Sequence, residues 1–90
     1  MTKKKEDIIG TILDICKKLK NYDENDLRFV NNNHNIPIDD ALNLDSLDKL
    51  DLLVELEKVY KIKISEYEEM VIVRNCSLNT ISEMILNKIK

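Results

Sequence analysis

The chain of 90 residues is 43% hydrophobic, has one glycine, one proline and no tryptophan, and carries a net charge of −3. This length predicts a single domain over residues 1–90 without room for a deep catalytic cleft, and the scarcity of glycine and proline disfavours β-hairpins and glycine-rich phosphate loops. No apolar run is long enough for a signal peptide or a membrane span, so we expect a cytoplasmic protein. The composition favours helices and an aliphatic core, so we expect an all-α fold.

The first predicted helix spans about Glu6–Leu19, because apolar residues recur there at helical spacing. A segment rich in asparagine and aspartate follows over residues 21–35, which predicts a long loop that includes a short helical turn at Glu24–Val30. Pro37 then favours extended backbone at the start of the segment that ends at Leu42.

The second predicted helix begins at Asp45 or Ser46 and runs to about Tyr60. Asp45 is suited to cap this helix, since its carboxylate can accept hydrogen bonds from the free N–H groups of the first turn. Asp48, three residues later, completes the pattern of a capping box.

The rest of the chain predicts two more helices. Lys61–Ile64 alternates like a strand but has no partner strand, so we expect an extended link. A short third helix is predicted over about Glu66–Val71, and Ser77 is expected to cap a last helix that ends at Ile89. The predicted fold is a small four-helix bundle with three longer helices and one short one, and with a long loop between the first two.

The second predicted helix has three faces on a wheel of 3.6 residues per turn. A broad apolar stripe that should face the core comprises Leu52, Leu53, Leu56, Val59 and Tyr60. An acidic face comprises Asp48, Asp51 and Glu55. A smaller apolar strip, called here the minor strip, comprises Leu47, Leu50 and Val54. The pattern leaves open whether the minor strip packs against another helix or forms an exposed binding patch.

Acidic residues are concentrated around this helix. Residues 39–58 contain seven acidic and two basic side chains, whereas the rest of the chain has a small net positive charge. This distribution disfavours a nucleic-acid partner and favours a protein partner with a basic surface. Asp45, Asp48 and Asp51 are also expected to form a ring of carboxylates that divalent cations stabilise.

The cysteines and the histidine indicate no metal or redox site. Cys16 and Cys76 each lie in an apolar pattern of helical spacing, which predicts buried free thiols. His34 lies in the asparagine-rich segment and has no second ligand at metal spacing. We therefore expect neither a metal centre nor an enzyme active site.

Ser46 starts the second predicted helix, where a serine most simply acts as a cap. Catalysis by Ser46 is disfavoured because no G-x-S-x-G turn surrounds it and the only histidine lies in a loop. A phosphate ester on its hydroxyl is better suited to this position, since free N–H groups and the helix dipole favour negative charge at a helix N-terminus.

The run Leu44-Asp45-Ser46-Leu47-Asp48 resembles the Asp-Ser-Leu modification site of acyl carrier proteins, in which the serine bears 4'-phosphopantetheine. The resemblance covers most of residues 38–89. The family's apolar positions before, within and after its recognition helix are matched by Ile38, Leu42, Leu47, Leu50, Leu52, Leu53, Val54, Leu56, Tyr60, Ile62 and Ile64. The chain departs from the family in having Asn43 where glycine is common, and lysines where acids are common, at Lys58, Lys61 and Lys63.

The resemblance implies an acyl carrier rather than an enzyme. A phosphopantetheinyl transferase would attach the arm from coenzyme A to Ser46, which Asp45 and Leu47 flank, and Asp45 and Asp48 would help that enzyme to dock or to hold its metal. Acyl-loading and acyl-processing enzymes with basic docking surfaces would read a partner-binding face, which comprises Leu47, Asp48, Leu50, Asp51, Val54 and Glu55. The chain, as a monomer, would present acyl thioesters to fatty-acid, polyketide or related biosynthetic enzymes.

Two other functions remain open on the sequence. A stand-alone peptidyl or aminoacyl carrier shares the serine and the bundle. An unmodified helical interaction module would use the minor strip to bind a partner helix. A hydrolase with Ser46 as nucleophile has no visible base to activate the hydroxyl.

Overall fold

The computed structural model describes residues 5–89 of the chain, and these residues contain six helices. Their bounds are α1 Lys5–Leu19, α2 Glu24–Asn31, α3 Ile38–Ala41, α4 Ser46–Tyr60, α5 Glu66–Arg74 and α6 Leu78–Ile89. Residues 5–89 contain no strand, and their one β-bridge joins Pro37 to Ser77. The all-α prediction is confirmed, but α2 lies within the predicted loop of residues 21–35, and α3 lies between that loop and α4.

The helices α2 and α3 form in a segment whose composition is mostly polar. Asp23 caps α2 by accepting a hydrogen bond from the Asn25 N–H at 2.9 Å. A helix this short is marginal by itself, but Leu27 and Val30 are buried on one face and tie it to the core. The turn predicted at Glu24–Val30 is therefore confirmed and extends by one residue.

The core lies between α1, α4 and α6, because α1 packs against both of the other helices. The helix α5 packs against α6, and α2 packs against α3. The buried hydrophobic side chains are aliphatic apart from two thiols, and they are Ile8, Ile9, Ile12, Ile15, Cys16, Leu27, Val30, Ile38, Leu42, Leu44, Leu52, Leu53, Leu56, Ile72, Cys76, Leu78, Ile81 and Ile85. Two serines, Ser77 and Ser82, are buried as well. The aliphatic core expected from the composition is confirmed.

The apolar stripe of α4 is narrower than predicted. Leu52, Leu53 and Leu56 are buried as expected, and Tyr60 is partly buried against the core. Val59 is 50% exposed, so the prediction that it faces the core is wrong. Val59 lies at the edge of the stripe, next to the acidic face of the wheel, and so at the margin of the surface that α4 buries.

Backbone hydrogen bonds hold the segment before α3 against the start of α6. The Ile38 N–H donates to the Cys76 carbonyl at 2.6 Å, and the Asn79 N–H donates to the His34 carbonyl at 2.9 Å. Ser77 caps α6 as predicted, because its Oγ accepts a hydrogen bond from the Thr80 N–H at 3.1 Å. The chain that leads to α4 is therefore anchored on both sides of Pro37.

None of the helices within residues 5–89 combines the length and the apolar character needed to cross a bilayer.

Candidate functional site

The helix α4 begins with a complete capping box. The Asp48 N–H donates to Asp45 Oδ1 at 2.8 Å, and the Asp45 N–H donates to Asp48 Oδ2 at 3.1 Å. Asp45 is thus the N-cap, as predicted, and Ser46 is the first residue of the helix. The simpler interpretation of Ser46 as the cap is wrong, because the Asp45 carboxylate already satisfies the first turn.

The Ser46 side chain is exposed, and its hydroxyl makes no hydrogen bond to any other residue of the described chain. A group esterified to this hydroxyl therefore displaces no internal contact.

The segment before Ser46 has an unusual backbone conformation at Asn43. This residue has φ 56°, in the left-handed region that glycine adopts without steric cost and that asparagine tolerates better than most residues. Leu44 follows as a buried residue, and its N–H donates to the Asp39 carbonyl at 2.9 Å. The left-handed backbone at this position is one that asparagine can adopt at small steric cost.

We expect the effect of replacing Asn43 on the free energy of unfolding to depend on backbone conformation alone. Asn43→Ala should lower the free energy of unfolding by about 1 kcal/mol, because an alanine Cβ is strained in the left-handed region, whereas Asn43→Gly should stay within about 0.5 kcal/mol of the wild type. Urea denaturation followed by circular dichroism measures both. Equal losses in the two variants would show that the asparagine side chain, and not the backbone, is what matters.

Lys20, the first residue after α1, connects that helix to the Ser46 segment. Its ammonium lies 2.7 Å from Asp48 Oδ2 and donates to the Asn43 carbonyl at 3.0 Å. The hydrogen bond from Lys20, together with the Asp45 N–H, holds the pKa of Asp48 below its usual range, and the same contact raises the pKa of Lys20. No local sequence pattern links Lys20 to Asp48, since 28 positions separate the two residues.

A second capping box has the same arrangement at the start of α5. Glu68 Oε1 accepts from the Ser65 N–H at 2.9 Å and lies 2.8 Å from Lys88 Nζ. The lysine hydrogen bond is the main cause of a lowered pKa at Glu68. The two boxes therefore pair an acid of one helix with a lysine from another part of the chain.

These two acids predict the direction in which stability changes with pH. Because the folded-state pKa of Asp48 and of Glu68 lies below the unfolded value of about 4, their contribution is complete above that value and is lost as pH falls through the folded pKa. The double variant Asp48→Asn, Glu68→Gln should show a shallower loss of thermal stability between about pH 5 and pH 2. Parallel curves for the variant and the wild type would contradict this assignment.

Three other acids of residues 39–58 also have an ion-pair or hydrogen-bond partner. Asp39 lies 3.4 Å from Lys49, Glu55 lies 3.5 Å from Lys58, and Glu57 accepts a hydrogen bond from the Ile64 N–H at 2.8 Å. The predicted ring of carboxylates at the start of α4 is wrong, because Asp48 is engaged by Lys20 and no three potential metal-ligating side chains of residues 5–89 form a group. We therefore expect no stabilisation by divalent cations at this position.

The minor strip is exposed. Leu47 is 69% exposed, Leu50 40% and Val54 46%, which answers the question that the helical wheel left open. Asp51 is exposed beside the strip, and the Glu55 side chain is 40% exposed. Contiguous apolar side chains bordered by carboxylates suit a protein partner with an apolar centre and basic edges.

Both cysteines are buried free thiols, as predicted. Burial raises the pKa of Cys16 and of Cys76 to about 12. A thiol with such a pKa stays protonated near neutral pH, and the protonated form is a poor nucleophile. Neither cysteine is therefore suited to react with a substrate in the folded chain.

A surface groove lies away from Ser46. It has a volume of about 660 Å³ and runs between α1 and α2, with Gly10 and Leu13 on one side and Leu27 and Arg28 on the other. None of the predicted site residues lines this groove. The candidate site is therefore the exposed start and side of α4 and not a cavity.

No family model, no curated protein and no solved structure matches this chain.

Proposed function

We propose that this chain is a carrier of acyl groups, which it holds as thioesters on a 4'-phosphopantetheine arm attached to Ser46. The observation that carries the proposal is the exposed Ser46 hydroxyl, free of internal hydrogen bonds, at the first position of a helix that Asp45 already caps. The Asp-Ser-Leu-Asp sequence at residues 45–48 supports the same function through its resemblance to acyl carrier proteins.

The attachment requires coenzyme A and a phosphopantetheinyl transferase. The Ser46 oxygen forms a bond to the phosphorus next to the pantetheine, the bond from that phosphorus to the adjoining phosphate breaks, and adenosine bisphosphate leaves. The hydroxyl proton passes to a base of the transferase, since the described chain provides none at Ser46. The arm then supplies the reactive thiol, while the protein supplies position and recognition.

The minor strip and its border supply the recognition surface in this proposal. Leu47 directly follows the attachment residue, and Leu50 and Val54 continue the strip along α4. Asp51 and Glu55 border it with negative charge, which favours loading and processing enzymes that present basic docking surfaces. Fatty-acid, polyketide and related biosynthetic enzymes are the proposed partners.

The far end of α4 differs in charge from its start. Lys58 lies in the last turn of α4, Lys61 and Lys63 follow the helix, and all three are exposed. A partner that matches the whole face needs basic residues near Ser46 and acidic or neutral residues near Lys58. This charge pattern suits a carrier that serves one dedicated partner in a specialised pathway as well as it suits a general fatty-acid carrier.

A second candidate function is an unmodified helical interaction module, which the exposure of Leu47, Leu50 and Val54 also favours. Such a module binds its partner equally well after Ser46→Ala. A peptidyl or aminoacyl carrier shares the arm and differs in its cargo and in the enzyme that loads it.

The proposal is tested by incubating the protein with coenzyme A, magnesium and a broad-specificity phosphopantetheinyl transferase, and then measuring its intact mass. We expect a gain of one phosphopantetheine in the wild type and none in Ser46→Ala. Ser65→Ala is the matched control, because Ser65 is also an exposed serine at a helix start, and this variant should gain the arm. A wild type that stays unmodified beside a modified carrier of known function favours the interaction module.

A further inference from the structure

A single ammonium group binds the chain on both sides of Ser46. Lys20 Nζ donates to the Asn43 carbonyl, three residues before Ser46, at 3.0 Å. The same Nζ lies 2.7 Å from Asp48 Oδ2, two residues after Ser46. Lys20 lies in neither of these two segments, since it directly follows the end of α1.

The contacts of Lys20 fall on the groups that define the local conformation. Asn43 has the left-handed backbone that turns the chain toward α4, and its carbonyl is the acceptor. Asp48 Oδ2 also accepts from the Asp45 N–H, so Lys20 orients the oxygen that completes the capping box. The Asp48 side chain is only 14% exposed in this arrangement.

Electrostatics makes the contact persistent near neutral pH. The pKa of Asp48 is lowered and that of Lys20 is raised by their mutual hydrogen bond, so both groups stay ionised. The positive charge of Lys20 also offsets part of the negative charge at the start of α4. A phosphodiester on Ser46 adds further negative charge there.

We propose that Lys20 is a positioning residue for attachment of the arm, because it holds Asn43 and Asp48 so that the segment around Ser46 has one conformation before the transferase binds. This inference rests on the proposed function. If only a fraction of the molecules has the conformation that the transferase binds, the apparent affinity falls by that fraction. A segment that is ordered in advance avoids this loss.

The kinetic prediction follows from this role. Lys20→Ala should raise the KM of the transferase for the apo protein by about three- to tenfold, the factor by which the ordered fraction of the segment falls. The kcat should change little, because Lys20 acts on the conformation before chemistry and not on the reacting atoms. Lys20→Arg should recover most of the affinity, since arginine keeps the charge and has donors for both acceptors.

Lys18→Ala is the matched control. Lys18 lies in the last turn of the same helix, is exposed, and makes no ion pair within residues 5–89, so its removal changes the net charge equally but leaves both contacts intact. A Lys20→Ala variant with the same KM and kcat as Lys18→Ala overturns the inference while leaving the proposed function in place. A decrease in kcat alone also overturns it.

A measurement without any enzyme tests the clamp itself. Amide hydrogen exchange at Asp45, whose N–H is bonded to Asp48, should be faster in Lys20→Ala than in Lys18→Ala. Equal exchange rates overturn the clamp. A wild type that takes up no arm overturns the proposed function and this inference with it, so the two failures are distinguishable.

Discussion

Leu56→Ala should lower the free energy of unfolding by about 2–5 kcal/mol. Leu56 is fully buried near the middle of α4, on the stripe by which this helix joins the core. Truncation removes the transfer free energy of the lost methyl groups and leaves a cavity that the surrounding helices fill only in part. Since domains of this size unfold at a cost of about 5–15 kcal/mol, the variant should lose a large share of its stability.

Leu50→Ala is the matched control for this loss. Leu50 lies on the same helix but is 40% exposed, so its truncation should change the free energy of unfolding by no more than about 0.5 kcal/mol. Urea denaturation of both variants, followed by circular dichroism, gives the comparison. Equal losses would mean that the minor strip is part of the core, and both the fold and the recognition surface proposed here would be wrong.

The second large effect is expected in recognition and not in stability. The double variant Leu47→Ala, Val54→Ala should lower kcat/KM for phosphopantetheine transfer by about tenfold, equivalent to about 1.4 kcal/mol of binding free energy. Both side chains are exposed, and Leu47 is adjacent to Ser46, so an enzyme that reaches the hydroxyl must contact the strip. The unfolding transition should remain close to that of the wild type.

Phe29→Ala is the control for this experiment. Phe29 is also a large exposed apolar residue, but it belongs to α2 and not to the candidate site. Its removal should leave the transfer rate unchanged. A strip variant that is modified as fast as Phe29→Ala would contradict the assignment of the strip as a docking surface.

Sequence periodicity predicts the long helices well, because their apolar residues repeat over several turns. The bounds that periodicity predicts for α1, α4 and α6 lie within one or two residues of the observed ones. Periodicity could not predict α3, because a helix of four residues has only one turn and Ile38 is its one fully buried side chain. Its stability comes from tertiary contacts, such as the hydrogen bond from the Ile38 N–H to Cys76, which a sequence pattern does not show.

The candidate site was predictable where its geometry is local. The capping box at Asp45 and Asp48 follows from a spacing of three residues, and the structure has it. Lys20 was not predictable, since its contacts cross from the end of α1 to the start of α4. The exposure of Val59 was missed for a similar reason, because a helical wheel gives the direction of a side chain but not the extent of the neighbours that cover it.

A count of reactive thiols in the folded protein tests the central claim most directly. Because Cys16 and Cys76 are buried and their pKa values are raised to about 12, the untreated protein should not react with a maleimide near neutral pH. After treatment with coenzyme A, magnesium and a phosphopantetheinyl transferase, the wild type should react at one thiol per chain, and Ser46→Ala at none. A treated wild type that gains no reactive thiol, or a Ser46→Ala variant that gains one, would contradict a carrier with its arm on Ser46.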